Sequence, residues 1–246
     1  MKHKWNIRFF ITILVFLLAA CKKETETLNV DLGLNYFPED SGTYVVYKVD
    51  STIYDDFTAT VRKSTVYLKE VISKQFPDNL DRTGREINRY YGTTPSSGWQ
   101  LTNVFYIVKT NKVAERVEDN LRYVKMVFPN NLNDQWLGNK YIISPPPYIL
   151  DASNYRVDDW QYTITDKDQR YDNSYKIFDS TMSVFHIYDS SAINKTYSME
   201  KYARNVGLVY KELWIVTGQT NIGQPWEDRA QKGFILRQYA IDYGKE

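Results

Sequence analysis

Thr43-Tyr44-Val45-Val46-Tyr47-Lys48-Val49-Asp50 sets Val45, Tyr47 and Val49 on one side of an extended chain and Tyr44, Val46, Lys48 and Asp50 on the other. Side chains of a β-strand alternate between faces with a period of two, so this segment has one dry side and one mixed side. The period recurs from Ser64 to Phe76, where Val66, Leu68 and Ile72 share a face that Glu70 interrupts. Glu86 to Tyr91 and Trp99 to Thr110 read as a strand pair around the Gly92-Thr93-Thr94-Pro95-Ser96-Ser97-Gly98 loop. Leu121 to Phe128 offers Val124, Met126 and Phe128 before Pro129 ends it. The pattern returns in Val157 to Asp166, Ile177 to Asp189, Gly207 to Gly218 and Gly233 to Gly244.

Between these, Trp136-Leu137-Gly138-Asn139 reads as a turn, and Pro145-Pro146-Pro147 as an edge or crossing segment, because proline cannot donate to a ladder. No long stretch holds a helical period, and no repeat of solenoid length is present. The expected fold is all-β: an antiparallel sheet or partly closed barrel with little helix.

The front of the chain has a different character. Lys2, Lys4 and Arg8 precede the apolar run Phe9-Phe10-Ile11-Thr12-Ile13-Leu14-Val15-Phe16-Leu17, and Leu18-Ala19-Ala20-Cys21 follows. A basic flank, a short apolar core and small residues before a cut site form the layout of a secretory signal. The run is shorter than the roughly 20 residues a spanning helix needs. Leu18-Ala19-Ala20-Cys21 resembles the lipobox of bacterial lipoproteins. The resemblance implies that Cys21 is acylated, becomes the first mature residue and anchors the protein in a membrane. Several acyl chains hold a protein at a bilayer where one gives only marginal binding. Lys22-Lys23-Glu24-Thr25-Glu26 is loosely similar to the charged export signals of surface lipoproteins of the Bacteroidota. This resemblance favours the outer membrane and leaves its face open. The expected organisation is a signal peptide over 1–20, a lipidated tether over 21–35 and one β-rich domain over 36–246.

Composition narrows the function classes. The chain carries 31 basic and 30 acidic residues, and cleavage before Cys21 would remove three of the basic ones, so the mature protein lacks the basic footprint of a nucleic-acid binder. Cys21 is the single cysteine, which leaves no disulfide and no free thiol once it is acylated. The 21 tyrosines suit pleated surfaces that are dry on one side and wet on the other. Tyr202-Ala203-Arg204-Asn205-Val206-Gly207-Leu208-Val209-Tyr210-Lys211-Glu212 resembles a strand–turn–strand signature of uncharacterised Bacteroidota envelope lipoproteins with antiparallel β-domains. It implies a fold rather than an activity.

Candidate chemistry is sparse. His186, the one histidine left after cleavage, lies in the strand pattern Ser183-Val184-Phe185-His186-Ile187-Tyr188. That is too few ligands for a zinc site, and no nucleophile motif accompanies it. Asp166-Lys167-Asp168-Gln169-Arg170-Tyr171-Asp172 starts like a calcium loop, but Arg170 and Tyr171 occupy the places of a ligand and the required glycine, so it reads as a solvated hairpin tip. No cofactor or metal is expected. Trp136, Tyr141, Tyr148, Tyr155, Trp160 and Tyr162 surround the proline run and could form an aromatic shelf for a sugar ring or an apolar ligand. The expectation is therefore a non-enzymatic, lipid-anchored binding or scaffold module with a protein partner. The alternatives are a glycan- or lipid-binding carrier, or a glycoside hydrolase using two distant carboxylates.

Overall fold

A computed structural model describes residues 30–95, 98–143 and 157–246. Cys21, Tyr148, Tyr155 and the proline run lie outside the described residues. The compact unit runs from Leu32 to Glu246. Its strands are β1 (Thr43–Asp55), β2 (Thr60–Pro77), β3 (Thr83–Gly92), β4 (Gln100–Lys109), β5 (Val113–Glu118), β6 (Leu121–Val127), β7 (Gln135–Leu137), β8 (Gln161–Asp172), β9 (Ile177–Ser190), β10 (Asn194–Ala203), β11 (Gly207–Thr217) and β12 (Lys232–Lys245). They form one antiparallel sheet in the order β6-β5-β4-β3-β2-β1-β12-β11-β10-β9-β8-β7. Among the described residues, helix is confined to one 3-10 turn, Leu34–Tyr36, and α1 (Trp226–Arg229). The all-β, nearly closed architecture is the one the alternation implies.

The apolar side chains of the strands gather into buried clusters, most of them on the inner face, while Trp214, Val216 and Ile235 pack with Tyr54 on the other. Tyr36, Phe105, Ile107, Met126, Tyr162, Ile164, Met182 and Val184 belong to one buried cluster, and Val45, Tyr47, Val49, Val209 and Ala240 to a second. Closure falls to the two edge strands. The Val124 amide of β6 donates to the Gly138 carbonyl just past β7 at 2.7 Å, and the Trp136 indole donates to the Val124 carbonyl at 2.7 Å. An open edge is a template for unwanted pairing, and this seam covers it. The expected turn at 136–139 is thus strand β7 followed by the closing carbonyl.

The end of the barrel at which β1 begins is crossed by residues 32–38. Lys109 Nζ donates to the Phe37 carbonyl, Asn205 N–H to the Asn35 carbonyl, Arg204 to Asn35 Oδ1 and Asn130 Nδ2 to the Gly33 carbonyl. Residues 32–35, read from sequence as tether, are therefore bonded into the unit. Gly207 has φ +93°, and a Cβ there would stand 3.3 Å from Pro38. Glycine at this position lets the β10–β11 turn fit under the crossing segment.

The far part of the β8–β9 hairpin folds over the outside of β11 and β12. Tyr171 meets Tyr210, Tyr175 meets Tyr239, and Asn173 Nδ2 donates to the Ala240 carbonyl. Asp166–Asp172 belongs to strand β8, and the hairpin tip comes later. Asp168 instead accepts from Arg204 Nε, Tyr36 Oη and Ser180 Oγ, so its hydrogen bonds tie the crossing segment to the sheet.

Candidate functional site

The barrel interior contains ionised side chains that share the inward parity of the apolar core. Glu70 follows Val66 and Leu68 on β2, Arg89 follows Ile87 on β3, Arg116 and Glu118 follow Ala114 on β5, and Lys125 lies on β6. Glu200 lies on β10 and Lys211 on β11. With Phe37, Pro38, Val45, Tyr47, Ile72, Ile107, Tyr202, Leu208 and Gln238 these line a cavity of about 80 Å3. On a scale where one water occupies about 10–15 Å3, this is room for about half a dozen waters.

Two ion-pair systems divide the chamber. Arg89 Nη2 and Arg116 Nη2 lie 2.5 and 2.7 Å from Glu70 Oε1, Arg116 Nη1 donates to Glu70 Oε2 at 2.9 Å, and Arg116 Nε also pairs with Glu118. In the second system, Lys125 of β6 reaches Glu200 of β10 at 2.8 Å, and Tyr202 Oη donates to Glu200 Oε2 at 2.5 Å. Burial alone would raise the pKa of every one of these carboxyls. The neighbouring cations outweigh it: Arg116 and Arg89 hold Glu70 well below the carboxylate range, and Lys125 does most of the same for Glu200. Glu118 is lowered to about 2 against the burial effect, chiefly by Arg116. Burial pushes the Tyr47 and Tyr202 hydroxyls up, so both stay neutral.

His186 of β9 lies beside this network. Its ring stacks on Tyr162 at 3.7 Å between centroids, and Nδ1 shares a 2.9 Å hydrogen bond with Ser198. Nε2 stands 3.6 Å from Glu200 Oε2 without a hydrogen bond. Burial lowers its pKa to about 3, with Lys125 and Lys211 adding to the effect and Glu200 opposing it. The ring is neutral at physiological pH, a core histidine in a strand.

The aromatic residues singled out from sequence do not gather into an open shelf. Tyr162 is buried, with its hydroxyl on Asn139 Oδ1. Trp160 is also buried, and Trp136 packs edge-on to Tyr162 at the seam. Tyr141 is half exposed. The three described rings other than Tyr141 are thus committed to closing the barrel. Among the described residues, no three His, Cys, Asp or Glu side chains are grouped so as to hold a metal ion.

No family model matches the chain, and no curated protein matches its sequence. Solved structures similar in outline include a protein of Bacteroides fragilis described as exported with a YmcC-like fold, at 10% identity and TM-score 0.37, covering 85% of this chain and 98% of that one. A protein of Parabacteroides distasonis described as a lipoprotein is 15% identical, with TM-score 0.34 and coverage of 85% and 98%. A domain from Vibrio parahaemolyticus described as an outer membrane lipoprotein-sorting protein domain is 8% identical, with TM-score 0.23 and coverage of 85% and 87%. At these TM-scores the likenesses carry no functional argument.

Proposed function

We propose that this chain is a non-enzymatic envelope lipoprotein, held at the outer membrane by acyl chains on Cys21, whose barrel is a binding module with its ligand site inside. The observation that supports the binding reading most is the chamber itself. Burying ion pairs costs desolvation that apolar packing would avoid, yet seven charged side chains line one cavity. Its size suits a small solute rather than an acyl chain.

The chemistry favours binding over turnover. A glycosidase needs one carboxyl with a raised pKa to donate a proton. Glu70, Glu118 and Glu200 are all lowered by cations at hydrogen-bond distance or near it. A partner protein docking on the outer surface is the other form the module could take, and no patch of the described residues singles out such a partner.

Two experiments test this reading. Native mass spectrometry of the full chain, extracted from membranes in mild detergent, should show a small co-purified mass that denaturation releases; a bare protein mass in every preparation would count against an interior ligand. The N-terminal peptide should carry the mass of the acyl groups, and Cys21→Ser should abolish it and move the protein out of the membrane fraction. An unmodified Cys21 in the wild-type protein would refute the anchor.

A further inference from the structure

Lys211 and Gln238 face each other directly across the β11–β12 ladder. Both line the chamber, and Glu200 is the ladder partner of Lys211 on its other side. The inner row therefore reads Glu200, Lys211, Gln238 and then Val49 of β1. Glu200 is already engaged at close range by Lys125 and Tyr202. Lys211 Nζ stands 3.8 Å from Glu200 Oε1, beyond hydrogen-bond reach, and among the described residues its ammonium makes no hydrogen bond. The Lys211 side chain keeps 27% of its surface open although it points into the barrel. Gln238 is 6% exposed, and its amide likewise has no hydrogen-bond partner among the described residues. Gln238 is buried and Lys211 only partly open, and polar groups in such places are nearly always hydrogen-bonded, so two adjacent donors lining one cavity present a ready site for an acceptor that enters it.

The charge count gives the acceptor's sign. Arg89, Arg116, Lys125 and Lys211 are four cations, and Glu70, Glu118 and Glu200 are three anions. His186, Tyr47 and Tyr202 are neutral, so the chamber is left with one positive charge, and Lys211, 3.8 Å from Glu200, is the cation held by an anion only beyond hydrogen-bond distance. The wall beyond Gln238 is apolar, formed by Val45, Tyr47 and Leu208.

We propose that Lys211 and Gln238 form the receptor for a small organic monocarboxylate, the carboxylate accepting from Lys211 Nζ and Gln238 Nε2 while its short apolar body lies against Val45, Tyr47 and Leu208. The inference rests on the reading of the barrel as a binding module and names its ligand class. A body of about six non-hydrogen atoms fills a space sized for about half a dozen waters. A charge-assisted hydrogen bond is stronger than a neutral one, which gives the carboxylate its advantage over an uncharged analogue.

The test is calorimetric titration of the full chain in non-ionic detergent with butyrate, butyramide and inorganic phosphate. Butyrate should bind at one site at least tenfold more tightly than either of the others. Lys211→Met, which keeps the side-chain length and leaves the Lys125–Glu200 pair intact, should weaken butyrate at least tenfold and leave butyramide unchanged. Gln238→Leu should weaken butyrate severalfold and provides a second, uncharged probe of the same contact. Equal binding of butyrate and butyramide, or butyrate binding unchanged in Lys211→Met, would overturn the anion receptor while leaving an interior binding site in place. Preference for phosphate would overturn the organic carboxylate. No binding of any of the three probes would overturn the carboxylate receptor, while the interior site itself stands or falls on the co-purified mass.

Discussion

The seam and the chamber of the barrel use their side chains in opposite ways. At the seam, the large aromatic groups Trp136, Trp160 and Tyr162 are packed into the closure, and the Trp136 indole and Tyr162 hydroxyl are directed at the Val124 carbonyl and the Asn139 side-chain amide. In the chamber, charged side chains occupy positions that apolar residues could fill, and one of them, Lys211, lines open space together with the neutral amide of Gln238. Aromatic surface buries well and so is readily used for structure. Buried charge is costly, and its persistence inside a barrel is the stronger pointer to a ligand.

The largest expected effect breaks the chamber. Glu200→Leu leaves Lys125 inside the barrel without its 2.8 Å partner and takes the acceptor from Tyr202. Removing one member of a buried pair costs about 3–5 kcal/mol, to be read as a fall in the urea midpoint. A loss below about 1 kcal/mol would mean that water already solvates the pair.

Acid should act next. His186 has a folded-state pKa of about 3 against an ordinary 6.5. The unfolded chain therefore binds the extra proton between these values, and stability falls as pH drops through that window. Glu118, lowered to about 2 from 4.5, adds a second loss below about pH 4.5. Each group contributes a slope of up to about 1.4 kcal/mol per pH unit. Denaturation midpoints between pH 7 and 4 should fall steadily, and His186→Phe, which retains the stack on Tyr162, should flatten the upper part of the decline. A pH-independent wild type would contradict the neutral buried histidine.

The seam should be less sensitive. Trp136→Phe keeps most of the ring but loses the bond to the Val124 carbonyl, for about 1–2 kcal/mol. Amide exchange should quicken in β6 and β7 while β1 and β12 stay protected; uniform acceleration would mean that the seam is not a separate closure. The smallest change belongs to Lys176→Met, which removes a pair with Asp242 whose side chains are 40% and 54% exposed. Its effect on the thermal midpoint should be close to nothing, as for most surface pairs.

The sequence and the structure differ where the chamber is built. Strands whose inward residues are mostly apolar, such as β1 with Val45, Tyr47 and Val49, are legible from the alternation, and β9 and β12 remain so although His186 and Gln238 each take an inward place. Strands β5 and β10 escape it because Arg116 and Glu118, or Ser198 and Glu200, take the inward places and cancel the dry face. Only Glu70 leaves a visible trace, as a charge interrupting the Val66, Leu68 and Ile72 face. An ionisable residue at an inward parity position is the signal that points to the chamber, and it becomes readable only once the neighbouring strands fix which face is inward. Trp136 and Tyr162 draw the eye by composition, but whether an aromatic side chain closes a sheet or faces solvent depends on pairings between distant strands.

The most direct test of the account sets the two regions side by side: butyrate affinity of the full chain carrying Lys211→Met and, separately, Trp136→Phe. The account predicts at least a tenfold loss for Lys211→Met and affinity within about twofold of wild type for Trp136→Phe. The reverse pattern, with the seam variant losing binding and the chamber variant keeping it, would return the ligand site to the aromatic residues and contradict the chamber.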